Sequence, residues 1–112
     1  MSNFRVNLPL KDAADIVSEY VRREGLSTTC VGSYSKVSPD GRGVVMFVFD
    51  KYFMRVSSRA SLTVILENLD GVTSVYSVGA GGGKGALFDF DWGAGDSFAS
   101  LVEHALEGYI IR

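Results

Sequence analysis

Gly81-Gly82-Gly83-Lys84-Gly85-Ala86 sets a lysine among residues small enough for backbone N–H groups to close on an anion, the physical basis of phosphate-binding loops. The stretch matches G-x-G-x-x-A letter for letter. That motif works where a helix follows and its first N–H groups complete the cradle, whereas Leu87 to Trp92 alternate as a strand does. The Walker pattern fails as well, because Gly85 stands where a Ser or Thr must hold the metal ion. What remains is a connection from Gly79 to Gly85, with Lys84 as a candidate anion contact at its tip and Gly81, Gly82 and Gly83 as the backbone around it.

A second cationic grouping lies upstream. Arg55 and Arg59 bracket Ser57 and Ser58 beside Tyr52, and two guanidinium forks so placed could hold a carboxylate or phosphate. A solvated corner between strands accounts for them more simply. Asp89 and Asp91 project from one strand face about 7 Å apart, but nothing beyond Asp96 offers the further oxygens that a hard cation requires. His104 falls away from the apolar stripe of its helix and reads as exposed. Cys30 reads as a small buried hydrophobe rather than a reactive thiol. No nucleophile, base and orienting group can be assembled from these residues, so no catalytic residue, metal or cofactor is nominated.

The elements that must carry these residues follow from periodicity. Phe4, Val6 and Leu8 alternate in a first strand stopped by Pro9, and Leu10, Ala13, Ala14, Val17, Tyr20 and Val21 recur at helical spacing. Thr28 to Val37 is rich in β-formers, and Pro39-Asp40-Gly41 predicts a hairpin turn. Val44-Val45-Met46-Phe47-Val48-Phe49 is apolar at every position, as a strand is when both its faces are covered. Leu62, Val64 and Leu66 alternate in the next strand, Asn68-Leu69-Asp70-Gly71 turns the chain, and a further strand runs from Val72 to Val78. Phe88, Phe90 and Trp92 mark a last strand. Asp96 is placed to cap a helix with an apolar stripe of Phe98, Leu101, Val102, Ala105, Leu106 and Tyr109. The expected architecture is α+β: an antiparallel sheet of five to six strands in the order β-α-β-β-β-β-β-α, with two helices packed on one face, in a single domain spanning residues 1–112.

Phe49-Asp50-Lys51-Tyr52, the run Arg59-Ala60-Ser61-Leu62-Thr63-Val64, and the glycine segment ending in Phe88, followed by Gly93 and Phe98, together resemble a small uncharacterised family of domains from Gram-positive bacteria. The likeness covers most of the chain in one continuous order. It implies a stand-alone domain with no assigned activity and brings no catalytic residues to carry over.

Bulk properties narrow the classes further. The 112 residues include 46% hydrophobic and 21% charged side chains, ordinary for one globular domain. A net charge of −2 provides no basic footprint for nucleic acid. The lone cysteine and the absence of a basic, apolar leader suit a cytoplasmic protein, and no apolar run is long enough to span a membrane.

One apolar face remains unaccounted for. If Phe47 and Phe49 join Leu62, Val64, Tyr76, Phe88 and Phe90 beneath the helices, then Val44, Met46, Val48, Ile65 and Val75 form a patch on the other side. A homodimer joined through this patch is the first functional expectation. The alternative is a helix-grip-like binder, in which helix and curved sheet enclose a small apolar or acidic ligand and Arg55 or Arg59 meets its head group.

Overall fold

The computed structural model describes residues 2–24, 28–53, 58–81 and 100–112. They form β1 (Ser2–Val6), α1 (Leu10–Glu24), β2 (Thr28–Val37), β3 (Gly43–Phe53), β4 (Ser58–Glu67), β5 (Thr73–Gly81), a helical segment over residues 100–105 and a 3-10 turn at Glu107–Tyr109. The class is α+β, with five antiparallel strands in the order β1-β5-β4-β3-β2. The expected strand at 87–92, the Asp96 cap and the start of the last helix lie outside the described residues, as do Arg55, Ser57, Gly82, Gly83 and Lys84.

Helix α1 follows Pro9 directly and buries Leu10, Ala13, Ala14, Val17 and Val21. That spacing makes a stripe about one-third of the helix wide, which must find an apolar surface. It packs across β2, β3 and β4, against Phe49, Leu62, Val64 and Leu66, which are all fully shielded. Val102 and Leu106 complete the same core, so both helical segments lie on one face of the sheet, called the inner face below. Each fully buried Val or Leu contributes roughly 1.5–3 kcal/mol.

The chain closes on itself at β1. This first strand pairs with the last described strand, β5, and the C-terminal segment crosses its other side. There Asn7 N–H donates to the Tyr109 carbonyl at 3.0 Å and Ile111 N–H to the Arg5 carbonyl at 2.8 Å. The two expected turns form around glycines with positive φ, Gly41 at 89° and Gly71 at 96°.

Strand register sorts the side chains into two faces. Phe49 pairs with Leu62, Phe47 with Val64 and Val45 with Leu66, all inward, so Val44, Met46, Val48 and Ile65 point outward as expected. Val75 does not join them. It pairs with Leu66 and Phe4 and is fully buried, while Tyr76, expected in the core, is 36% exposed on the outer face beside Ile65. On β5 each face carries one valine and one serine, Val75 with Ser77 and Ser74 with Val78. Composition along the strand therefore cannot choose between them, and pairing with β4 does. Val78 occupies the outer position expected of Val75.

A second correction concerns Gly81. The strand continues through Gly79 and Ala80 to Gly81, which pairs with Ala60, because the β4 ladder supplies partners for these backbone groups. Glycine weakens a strand but does not end one whose neighbour runs alongside it.

Candidate functional site

Strand β2 departs from simple alternation. Cys30 faces Phe49 and Gly32 faces Val48, so Val31 is an extra residue in a bulge, and the parity of the strand reverses there. Without the bulge, Gly32, Tyr34 and Lys36 would follow Cys30 to the inner face. With it, Ser33, Ser35 and Val37 turn inward, opposite Phe47, Val45 and Gly43.

The inner face under the first turns of α1 is therefore only partly filled. Two serines and an exposed valine cannot draw the helix down as Leu62 and Leu66 do. A cleft of about 630 Å³ remains between α1 and the β2–β3 hairpin. Leu10, Ala14, Val37, Val45 and Phe47 form its apolar walls, and Ser33 and Ser35 set two hydroxyls about 7 Å apart on its β2 side. Neither hydroxyl is bonded to another described residue. The Phe47 ring is itself steadied by Phe49, with centroids 5.8 Å apart.

Lys11, Asp15 and Asn68 stand at the rim. Lys11 Nζ donates to Asp15 Oδ2 at 2.9 Å, one helical turn away. This bond and the neighbouring negative charge hold the lysine pKa above its ordinary value. Asn68 acts as a staple: its Oδ1 accepts from Gly43 N–H at 2.8 Å and its Nδ2 donates to the Gly41 carbonyl at 3.1 Å. The β2–β3 hairpin that walls the cleft is thereby tied to the end of β4.

Of the cations that the sequence nominated, Arg59 is the one among the described residues, and it does not line this cleft. Arg59 pairs with Tyr52 of β3, and both project from the outer face, where the guanidinium is bonded to Asp50 and lies 5.6 Å from the Tyr52 ring centroid. Among the described residues, Lys11, in the first turn of α1, is the cation that lines the cleft. Helical periodicity alone places Lys11 off the apolar stripe of α1. The missed signal was the Cys30-Val31-Gly32 bulge, which a single glycine hinted at without placing.

The outer face is the second candidate surface. Its central row reads Tyr34, Met46, Ile65, Tyr76 and Asn3 across all five strands, and Val48, Thr63 and Val78 lie in the next. Tyr34 is 54% exposed. Among the described residues, the charges of this face are Lys36, Glu67 and Arg5 in the row of Val44, Asp50 in the row beyond Val48, and Arg59 at the far end.

Cys30 is half-buried and its Sγ reaches the Gly32 carbonyl at 3.5 Å across the bulge. His104 is exposed. Among the described residues no three His, Cys, Asp or Glu side chains gather to hold a metal ion, and no helix is long and apolar enough to cross a membrane.

Neither a curated protein nor a solved structure matches the chain significantly. The family model that does match spans residues 1–110, nearly the whole chain, and its architecture has no assigned activity to import: the chain belongs to the family of unknown function DUF6054.

Proposed function

We propose that the chain is a non-enzymatic binding module whose cleft between α1 and the β2–β3 hairpin takes a small amphipathic molecule, an apolar body with one hydrogen-bonding end. The cleft carries this reading. Its volume falls within the roughly 300–1,000 Å³ typical of small-molecule sites, and apolar walls with a few placed polar groups are their usual lining. The apolar body would lie on Phe47 and Val45, with its polar end on Ser33 and Ser35 and any negative charge near Lys11. A helix laid over an antiparallel sheet whose first and last described strands pair is the helix-grip-like arrangement that such a ligand needs.

The probe that tests it is 8-anilinonaphthalene-1-sulfonate, an aromatic anion that brightens in apolar sites. Titration should give saturable fluorescence. Ser35→Phe, at an exposed position, should fill the cleft and abolish that signal while the thermal transition is kept. Unchanged fluorescence in a folded Ser35→Phe protein would sink the reading.

A second reading is self-association through the outer face. It is supported by a row that joins Met46 and Ile65 to Tyr34 and Tyr76, residue types enriched at interface centres, with Asp50 as the charge nearest that centre. Sedimentation should then report twice the 12.1 kDa chain mass, and Val48→Lys should return it to the monomer. A wild-type chain that stays monomeric at millimolar concentration excludes it.

A further inference from the structure

We propose that the occupant of the outer face is a second copy of this chain, related by a two-fold axis that runs across the strands through Val48 and Thr63. The inference rests on the self-association reading and specifies its geometry. Three observations select this axis.

The first is charge. Glu67 and Arg59 are the two ends of the outer face along β4, and Thr63 is midway between them. A two-fold axis across the strands at Thr63 therefore sets Glu67 of one copy over Arg59 of the other, twice. An axis along β4 would instead oppose Glu67 to Glu67 and Arg59 to Arg59, a juxtaposition that costs several kcal/mol. Asp50, brought over Met46, is bonded to Arg59 of its own chain, so that guanidinium is shared between Asp50 and the partner's Glu67.

The second is shape. Lys36, Val44, Tyr34 and Leu69 line a depression of about 370 Å³ at one end of the face. Tyr52 stands at the other end of the same strand as Val44, 38% exposed, and Val48 is midway between them. The same rotation places the Tyr52 ring of one copy at the depression of the other, the aromatic-in-pocket pairing that anchors many interfaces.

The third is coincidence of the two midpoints. Val48 and Thr63 are register partners on neighbouring strands, so charge and shape ask for one axis rather than two. Aligned sheets cross at about 30°, which displaces the ends of the face by about one strand spacing. The depression, spanning β2 to the β4–β5 turn, and the length of an arginine side chain accommodate that shift.

Sedimentation of two single variants, alone and mixed, tests the proposal. Arg59→Glu alone opposes two acidic residues twice and Glu67→Arg alone opposes two basic ones, so each should weaken dimerisation by about ten-fold or more. An equimolar mixture restores both opposite-charge contacts in a heterodimer, which should form at close to wild-type affinity. Residues 59 and 67 are about 26 Å apart along one strand, so restoration cannot arise within a chain. Tyr52→Ser is the companion variant if either charge change disturbs folding, and it too should weaken the dimer about ten-fold. A wild-type dimer whose mixed variants show no restoration, or that tolerates Tyr52→Ser unchanged, overturns this axis while leaving self-association standing. A monomeric wild type overturns both.

Discussion

Leu66 and Val75 stand opposite each other across β4 and β5, and both are fully shielded from solvent. This pair sets the parity of the fifth strand and makes neighbouring valines unequal. Val75→Asp would bury an unpaired carboxylate and should remove about 3–5 kcal/mol, enough to unfold many domains of this size. Val78→Asp, three residues on and facing outward, should cost the fold of the monomer less than about 1 kcal/mol, measured at protein concentrations too low for dimerisation. Urea unfolding of the two variants checks the assignment, and equal losses would contradict it.

Gly43 begins β3 under a tighter constraint than the turn glycine two residues before it. A Cβ at Gly43 would lie 2.2 Å from the Lys36 carbonyl oxygen and 2.6 Å from Val37 Cα, backbone atoms of the paired strand that cannot swing aside. Gly41 has open space around it and only its φ of 89° to defend. Gly43→Ala should therefore force β2 and β3 apart at a cost of about 1–3 kcal/mol. It should also disturb the hydrogen bond from Gly43 N–H to Asn68. Gly41→Ala should cost about 1–2 kcal/mol, with the register intact. Amide exchange separates the two, because only the first should expose the Gly43 end of the hairpin.

How much of this could be read beforehand depends on where the information resides. The all-apolar run from Val44 to Phe49 marks a strand with two apolar faces, and the alternation of Leu62, Val64 and Leu66 identifies which neighbour shares the inner one. Those are local patterns. The parity of β5 and the inward turn of Ser33 and Ser35 are not local, since one depends on pairing with β4 and the other on a single extra residue at Val31. The cleft arises from that bulge, which is why it was illegible while the outer patch was mostly legible. The sequence sets Arg59 near Tyr52, and the structure places its guanidinium by that ring, but its Asp50 partner comes from the adjacent strand and is not visible along the chain.

Ser77 offers a test of packing against polarity. It is fully buried opposite Val64, and its hydroxyl finds no hydrogen-bond partner among the described residues. A buried, unsatisfied hydroxyl costs about 1–3 kcal/mol, against a smaller loss from the atom removed. Ser77→Ala should leave the fold unchanged and raise the urea midpoint, whereas a lowered midpoint would mean that the hydroxyl is satisfied in solution.

Stability should also fall in acid for identifiable reasons. The Val72 N–H donates to Asp70 Oδ1 at 3.1 Å and Arg5 pairs with the other oxygen at 2.8 Å, and together they hold the Asp70 carboxyl below its ordinary value of 3.8. The Ser38 hydroxyl and the Arg42 N–H do the same for Asp40. A depressed pKa means that the folded state binds the proton less readily than the unfolded chain. Its contribution is therefore complete above the unfolded value and disappears as the pH falls through the folded one. Both carboxylates are fully exposed and screened, so the loss is gradual rather than a collapse. Asp70→Asn should lower stability at pH 7 yet narrow the difference from wild type steadily below pH 4. Urea midpoints measured from pH 7 to pH 2 check this, and a difference that stays constant across that range would show that Asp70 acts through the turn geometry alone and not through its charge.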